Sequence, residues 1–222
     1  MNTVVLGVCV VSGLFAGCRR DPALPPLSAA DSLHIVRENI NHRLARDESF
    51  RTDPDSPFRR DTSVAFVGLR WFPVDPRYRV TSVLHRHADP DTVVVFGTKG
   101  EPRKQLRYGY FECALPDEHA RPVTVRLQVY KVTPRDTRRY ALYRDYLNVW
   151  FTDRTTGKET YHVGRYLELG PEHPDPEHAY TLDFNMAFNP YCAYSSLFSC
   201  AVPRDEDRLA LALRVGEMTY DH

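Results

Sequence analysis

The sequence predicts a mainly β protein, a single antiparallel β-sandwich or barrel-like domain with one amphipathic helix at its N-terminus. Two observations lead to this class. Short runs of alternating apolar and polar residues recur between residues 64 and 215, each bounded by proline, glycine or aspartate. Helical spacing of apolar residues marks one segment near the N-terminus, and no helical runs separate the strands as a parallel sheet requires.

The N-terminal segment is predicted to export the protein and to anchor it. Residues 3–17 are almost continuously apolar, but as a helix they span only about 22 Å, which is short for a bilayer core. Residues 14–18 resemble a bacterial lipobox, and acylated Cys18 would hold the protein at a membrane. We therefore expect a signal peptide at 1–17, a lipidated tether at 18–28, and the membrane as partner on the periplasmic side of the cell envelope. A plain secretory signal or a misassigned start is the alternative.

One helix is predicted over residues 29–46. Ser28 fits an N-cap, with an acidic residue three positions further on. Apolar residues follow at three- and four-residue spacing, so we expect this face to lie against the domain and the arginines and glutamates to point outward. The apolar residues are Leu33, Val36, Ile40 and Leu44.

Eight strands are predicted from alternation and from the turn residues between them. Residues 153–157 have the composition of a turn, so the strands on either side are expected to form a hairpin. The segment 140–146 is compatible with a helix or a loop. The predicted strands are residues 64–72, 78–84, 92–97, 105–113, 123–130, 147–152, 158–169 and 209–215.

Composition limits the partners that we expect. Lysine plus arginine and aspartate plus glutamate number 29 each, so the chain lacks the basic surface that nucleic acid binding needs. The sequence contains no glycine-rich phosphate loop, H-E-x-x-H motif or G-x-S-x-G motif. We therefore expect no nucleic acid partner, no cofactor and no metal, and the oligomeric state stays open.

Alternation in the predicted hairpin puts charged residues on an apolar face. The apolar face of the first strand ends at Asp153. On the second strand, Glu159, Tyr161 and Arg165 share an apolar face with valine and leucine. Glu159 and Arg165 are six residues apart, about 20 Å along a strand, so they cannot pair. Arg165 therefore needs another anion.

Asp183 is the predicted partner of Arg165. It alternates with Asn185 in a run whose other members are apolar. A buried arginine without a partner costs several kcal/mol, so we predict an Arg165–Asp183 pair held by Asn185 and by tyrosine hydroxyls. Such a network more often fixes a core than performs catalysis. Asn189, which precedes a proline, would present residues 191–200 against this cluster.

Three cysteines remain once the two N-terminal ones are processed. In an exported protein we predict a disulfide between Cys192 and Cys200 and a buried thiol at Cys113. Zinc bound by Cys192, Cys200 and His162 is an alternative, although C-x7-C lacks the close spacing of the usual zinc sites.

Several motifs resemble the DUF1684 family of bacterial proteins. The resemblance covers about residues 37–217, so we interpret 29–222 as one DUF1684-like β-rich domain. It departs from the family at Ala201, where a proline is usual. The matching strings are F-x-D-x-T-x-G-x-E-T-Y-x-x-G-R-Y-L at residues 151–167, D-F-N-x-A-x-N-P-x-C-A-Y at 183–194, Cys200, G-E at 216–217, and shorter matches at 55–57 and 66–73.

The resemblance implies a shared site or core but no activity, because the family is named for having none. It also favours a thiol or metal role for the cysteine pair over a disulfide, since some relatives lack an export signal and yet retain both cysteines. The residues implied are Asp153, Glu159, Tyr161, Arg165, Asp183, Asn185, Asn189, Cys192, Tyr194 and Cys200.

Two functions remain open on the sequence alone. The favoured one is an uncharacterised, lipid-anchored envelope protein that binds a small polar ligand or a partner through a polar and aromatic site. The expected location is residues 140–198, which hold 13 of the 26 aromatic residues.

The alternative is a hydrolase or isomerase. In it, Asp153 or Glu159 acts as general base, Arg165 holds an anionic group, and Tyr161 or Tyr166 donates to the substrate. This hypothesis requires that Asp153, Glu159 and Arg165 converge on one concave pocket.

Overall fold

A computed structural model describes residues 27–221. The predictions for the signal peptide, for Cys18 and for most of the tether therefore lie outside the described residues. Within residues 27–221, the helices lack the combination of length and apolarity needed to cross a bilayer. The helices are α1 (Ala29–Thr52), α2 (Pro57–Arg60) and α3 (Thr137–Tyr143), and the strands are β1 (Arg79–Val83), β2 (His85–Phe96), β3 (Pro102–Pro116), β4 (Pro122–Val132), β5 (Tyr146–Phe151), β6 (Arg165–Pro171) and β7 (Ala179–Asp183).

Two antiparallel sheets form the fold. The larger has the order β2-β3-β4-β5-β6, and the smaller pairs β1 with β7. The small sheet packs on one face of the large one, where the rings of Phe111 and Tyr180 lie 5.2 Å apart. We call this covered side the inner face of the five-stranded sheet. The predicted class, a mainly β sandwich-like fold with an N-terminal helix, is confirmed.

The inner face carries the main hydrophobic core. Alternate residues of β3, β4 and β5, such as Phe111, Leu127 and Phe151, are fully buried there. Leu182 of β7 completes the core from the opposite sheet. The alternation that predicted these strands therefore also identified the face that they bury.

Three predicted strands differ from the structure. Residues 64–72 form only an isolated bridge between Trp71 and Glu217, and residues 153–164 are turns and loops before β6 begins at Arg165. Residues 209–215 bury alternate leucines as predicted but do not join a sheet. The sequence did not predict β7 as a strand.

Helix α1 begins as predicted, and the Ser28 side chain accepts a hydrogen bond from the Asp31 backbone N–H. It continues to Thr52 instead of ending at residue 46. The prediction of its packed face is wrong for three of the four apolar residues, and only Val36 is half-buried. In the described part of the chain Leu33, Ile40 and Leu44 have exposed fractions of 64%, 49% and 64%.

Polar contacts explain why α1 packs with a different face. Asn39 is fully buried and donates from Nδ2 to the Asp183 carboxylate at 3.0 Å. Arg43 donates from Nη1 to the Phe72 carbonyl at 2.9 Å. Hydrogen bonds of this kind fix the helix against the end of β7 and the segment before β1, and they leave the apolar stripe of Leu33, Ile40 and Leu44 outside.

Candidate functional site

Arg165 is sealed inside the protein beside a different carboxylate from the one predicted. Its side chain is 1% exposed, and Nη2 lies 2.7 Å from Asp153 Oδ2. The predicted Arg165–Asp183 pair is therefore wrong. Asp153 reaches Arg165 because residues 153–164 fold as a wide turn, in which the Thr155 N–H and hydroxyl donate to Asp153 Oδ1 at 2.7 and 2.5 Å.

The guanidinium of Arg165 also holds the C-terminal segment. Its terminal nitrogens donate to the carbonyls of Leu213 at 2.9 Å, of Val215, and of Glu217 at 3.4 Å. Burial lowers the pKa of Arg165, and the Asp153 carboxylate opposes that shift. Because Asp153 and backbone carbonyls engage both terminal nitrogens and the side chain is sealed from solvent, Arg165 stabilises residues 209–217 in place of a strand partner and is not available to a substrate anion.

Asp183 belongs to a separate polar network, which joins α1 to β7. Its Oδ1 accepts from the backbone N–H and Nδ2 of Asn185 at 3.0 and 2.9 Å, and Asn39 donates to its Oδ2. Asn185 also exchanges hydrogen bonds of 2.8 and 3.0 Å with the backbone of Asp75. Asn185 does contact Asp183 as predicted, but the further partners of Asp183 are Asn39 of α1 and, at 3.8 Å, Arg79 rather than Arg165.

Asn189 and Tyr194 lie in a third network, around a carboxylate that the sequence reasoning did not select. Glu217 is fully buried and accepts from the Asn189 backbone N–H and Nδ2 at 3.0 Å each, and from the Tyr194 hydroxyl. Arg46 Nε lies 3.8 Å from Glu217. Burial raises the pKa of Glu217. Gly216 makes this turn possible, because at its φ of 79° a Cβ would lie 2.7 Å from the Ala187 carbonyl oxygen.

The proposed catalytic residues do not converge. Glu159 lies at the surface and pairs with Arg214 at 2.9 Å, whereas Asp153 and Arg165 are sealed beneath it. The Tyr161 hydroxyl donates to the Cys192 carbonyl at 3.1 Å and the Tyr166 hydroxyl to the Ala201 carbonyl at 2.5 Å. Asp153, Glu159 and Arg165 therefore do not share one pocket, so the prediction that the hydrolase or isomerase hypothesis makes for them is wrong.

The other side of the five-stranded sheet, which we call its outer face, carries a row of aromatic rings. Tyr130 of β4 stacks on Trp150 of β5 with centroids 4.7 Å apart, and Trp150 lies 5.8 Å from Tyr166 of β6. Tyr130 and Trp150 both donate to the buried carboxylate of Asp207, at 2.9 and 3.1 Å. Burial raises the pKa of Asp207 to about 6. Asp207 thus fixes the Tyr130 and Trp150 rings, and of this row Trp150 and Tyr166 line a cavity.

A cavity of about 500 Å³ lies on this outer face, and we call it the outer groove. Its floor consists of Gln105, Asn148, Trp150 and Tyr166 from three strands, β3, β5 and β6. A volume of this size matches a small organic ligand. A second cavity of about 330 Å³ shares Asn148, Trp150 and Tyr166 and continues the groove towards Glu168 at the sheet edge.

The walls of the outer groove are aromatic and cationic. Tyr143 and Arg139 come from α3, and Phe188 and Tyr191 come from the opposite side. Arg103 and Cys200 lie at the end of the groove. Arg103 is already engaged there, because it donates to the Ser199 carbonyl at 2.8 Å and pairs with Glu101. The groove thus combines ring faces, two amides on the floor and a guanidinium at the rim.

Gln105 is the polar residue of this groove that most clearly lacks a protein partner. It is 3% exposed, and among residues 27–221 its Oε1 has no hydrogen-bond partner. Leaving a buried acceptor unpaired costs about 1–3 kcal/mol. The sequence reasoning missed Gln105, because a bulge between Arg107 and Gly109 shifts the register and turns it to the outer face.

The cysteines are free thiols in the described residues. Cys113 is buried, and burial raises its pKa to about 12. Cys192 and Cys200 lie beside each other, with the Cys192 N–H donating to Cys200 Sγ at 3.2 Å. The disulfide between them stays a prediction. Within residues 27–221, groups of three His, Cys, Asp or Glu side chains suited to a metal do not occur, so His162 does not complete a zinc site there.

The comparisons with known proteins give a family and a solved structure without an activity. A model of DUF1684, described as a protein of unknown function, matches residues 64–218, and no curated protein matches the chain. A solution NMR structure of an uncharacterized protein of Haloarcula marismortui is similar over 86% of this chain and 98% of that chain, with 28% identity and a TM-score of 0.57. Neither description names a ligand or a reaction.

Proposed function

The chain belongs to the DUF1684 family, and from that premise we propose that it is an exported, lipid-anchored envelope protein that binds a small polar ligand in the outer groove. One observation carries the binding part: the buried Oε1 of Gln105, without a partner in the described residues, belongs to the floor of a cavity of about 500 Å³. A ligand that donates a hydrogen bond there would remove the cost of the unpaired acceptor.

The groove also indicates the chemistry of this ligand. Trp150, Tyr166 and Tyr191 offer ring faces, which favour a flat or ring-shaped molecule. Gln105 requires an N–H or O–H donor on that molecule. Arg139 at the rim, whose Nη1 lies 3.6 Å from Asp136 Oδ2 in a partly exposed pair, favours a negative group at the outer end. The expected ligand is therefore a small planar molecule with a donor at one end and an anionic group at the other.

The export and anchoring part rests on the N-terminal sequence. The apolar residues 3–17, the lipobox-like residues 14–18 and Cys18 are its basis. The nine residue-to-residue steps from Cys18 to Leu27 reach at most about 30 Å, so acylation would keep the start of α1 near the bilayer surface. The exposed stripe of Leu33, Ile40 and Leu44 on α1 suits contact with that surface.

This arrangement does not support the hydrolase or isomerase alternative. Its general base and its anion clamp would have to act together, yet Glu159 pairs with Arg214 at the surface and Arg165 pairs with Asp153 in the interior. We therefore carry the binding function forward alone.

A ligand screen tests the proposal. We would identify any co-purifying molecule by native mass spectrometry and measure thermal shifts with a library of small planar acids. For each ligand found, we would compare Tyr143→Ala, which removes a ring of the groove wall, with Tyr110→Ala, which removes a ring outside the lining residues.

Loss of one stacked ring should raise the Kd about tenfold in Tyr143→Ala and leave it unchanged in Tyr110→Ala. Equal Kd values in both variants would mean that the ligand binds elsewhere. Turnover of the bound molecule would contradict a purely binding function.

A further inference from the structure

Cys192 and Cys200 are held together by contacts with the turn between β2 and β3. The Cys192 backbone N–H donates to Cys200 Sγ at 3.2 Å. The Cys200 N–H donates to Thr98 Oγ1 at 3.3 Å, and the Thr98 N–H donates to the Cys200 carbonyl at 2.9 Å. These backbone hydrogen bonds of Cys192 and Cys200 keep the two sulfur atoms next to each other.

The two thiols have different environments. The Tyr161 hydroxyl donates to the Cys192 carbonyl at 3.1 Å and also lies 3.8 Å from Cys192 Sγ, and the Thr98 hydroxyl hydrogen-bonds to the same sulfur. Hydrogen bonding from Cys200 is the main cause that lowers the pKa of Cys192 to about 7, while burial opposes the shift. The same hydrogen bond raises the pKa of Cys200. The hydrogen bond between the two sulfurs thus favours a thiolate at Cys192 and a thiol at Cys200.

Other titratable and charged groups surround the pair. Hydrogen bonding and proximity to Cys192 contribute to a raised pKa at Tyr161, although burial is the larger cause. Burial likewise raises the pKa of Tyr166, and Arg103 acts on Cys200 in the direction that favours a thiolate. The groups that face the pair or share its cavity are Tyr161, Tyr166, Arg103, Lys99 and His162.

Both sulfur-bearing residues are accessible, each from its own cavity. Cys192 lines a cavity of about 490 Å³, together with Lys99, His162 and Ser196. Cys200 lines the end of the outer groove. Both cysteines are partly exposed, whereas Cys113 is buried. A substrate can therefore reach Cys192 without displacing Cys200.

From this geometry we infer that Cys192 and Cys200 form a thiol–disulfide exchange site, in which Cys192 attacks a disulfide substrate entering the cavity of about 490 Å³ and Cys200 resolves the intermediate. This activity goes beyond the proposed ligand binding and does not require it. Lys99 at the cavity rim favours a substrate with a negative group.

The reaction balances as a two-electron exchange. The Cys192 thiolate attacks one sulfur of R–S–S–R′, so that a Cys192–SR bond forms, the substrate S–S bond breaks and R′S⁻ leaves. The Cys200 thiol then gives its proton to the departing RS⁻ and attacks Cys192 Sγ. The products are a Cys192–Cys200 disulfide, RSH and R′S⁻, which takes a proton from water according to its own pKa. The dithiol is oxidised and the substrate disulfide is reduced.

The first test measures alkylation by iodoacetamide as a function of pH in the reduced full-length protein, with peptide mapping by mass spectrometry. Cys192 should react with a midpoint near pH 7 and Cys113 should stay unreactive in the folded state. Cys200→Ala should move the Cys192 midpoint up by about one pH unit or more, and Tyr161→Phe should move it up by less. Circular dichroism would establish that both variants fold.

The second test uses oxidised glutathione as the substrate disulfide. The wild type should release two molecules of glutathione and form the Cys192–Cys200 disulfide, whereas Cys200→Ala should stop at a stable glutathione adduct on Cys192. Cys192→Ala should form neither product. Dithiothreitol or reduced glutathione should reverse the wild-type reaction.

Three results would overturn the inference. One is a Cys192 midpoint at or above about 8.5, the value of an ordinary thiol. Another is an adduct on Cys200 instead of Cys192. The third is a Cys192–Cys200 bond that glutathione cannot reduce, which would make the pair a fixed structural disulfide. The ligand proposal rests on Gln105 and the aromatic walls of the outer groove, which take no part in this exchange, so the two proposals fail separately.

Discussion

The two faces of the five-stranded sheet differ in the surroundings of their buried polar residues. On the inner face, Arg165 is sealed against Asp153 and three backbone carbonyls. On the outer face, Gln105 is equally buried, yet its Oε1 has no partner within residues 27–221 and lies beside a cavity. Both residues are unusual for a core and each has one buried atom without a partner, Nε of Arg165 and Oε1 of Gln105, but only Gln105 lines a cavity that a ligand could enter.

This difference separates a structural polar residue from a candidate binding residue. A charge whose partners all come from the protein fixes the fold, and its removal should cost stability. A buried acceptor that the protein leaves unpaired lowers the stability of the ligand-free protein, and it forms its hydrogen bond only when a ligand binds. The contrast therefore predicts effects of opposite sign on the two faces.

The largest effect should come from Asp153→Ala. This change leaves the Arg165 guanidinium buried without its carboxylate, so we expect the free energy of unfolding to fall by about 3–5 kcal/mol. Urea denaturation followed by circular dichroism would measure it. Glu159→Gln is the matched control, because it breaks the exposed pair with Arg214 and should cost only about 0–1 kcal/mol. A loss below about 1 kcal/mol in Asp153→Ala would mean that Arg165 reaches solvent and that the two faces do not differ.

The sequence predicted the inner face well and the partner of Arg165 badly. Alternation correctly assigned Phe151, Arg165 and Leu167 to the core side, and it already placed Asp153 on that side. The choice of Asp183 failed because a tight hairpin was expected, in which Asp153 would have been carried away from Arg165 at the turn. The wide turn over residues 153–164 depends on hydrogen bonds that alternation does not register.

The outer face could not be predicted, for two physical reasons. Counting in steps of two back from Phe111 puts Gln105 on the inner face, and the bulge at residues 107–109 reverses that result. A bulge depends on pairing between strands, which is not visible in one strand's sequence. In the same way, α1 was expected to pack through Leu33 and Leu44. This failed because apolar periodicity does not reveal polar partners such as Asp183 for Asn39.

A smaller effect should appear in the pH dependence of stability. Asp207 supports the aromatic row of the outer face, and its pKa in the folded protein is raised to about 6, mainly by burial. Its pKa in the unfolded chain is about 3.9. The folded state therefore holds more protons between these values, and stability falls as the pH rises from about 4 to 6, by on the order of 2–3 kcal/mol.

Asp207→Asn should remove this fall in the free energy of unfolding between pH 4 and 6, because the amide does not titrate. Thermal or urea unfolding at pH 4, 5 and 6 would measure the difference between wild type and variant, in which the contributions of Glu217 and of other carboxylates cancel. Parallel curves for the two proteins would show that Asp207 titrates normally and that the outer face is not backed by a buried acid.

The smallest effect on stability is expected at the exposed stripe of α1. Changing Leu33, Ile40 and Leu44 to serine should alter the free energy of unfolding by less than about 0.5 kcal/mol each. The same variant of the unacylated protein should bind vesicles of phosphatidylethanolamine and phosphatidylglycerol more weakly in a flotation assay. Leu142→Ser is the control, since Leu142 on α3 has the same exposed fraction as Leu33, 64%. If the stripe variant floated with vesicles as well as the Leu142→Ser control does, the stripe would have no part in the membrane proposal.

The most direct test of the contrast between the two faces is the Gln105→Met variant, measured for both stability and ligand affinity. Methionine keeps the length of the side chain and removes the unpaired acceptor. We predict that the free energy of unfolding without ligand rises by about 1 kcal/mol while affinity for a ligand from the screen falls about tenfold. The same change at Gln128, which lies outside the lining residues of the outer groove, should leave affinity unchanged. A destabilised Gln105→Met that binds the ligand as tightly as the wild type would contradict the account.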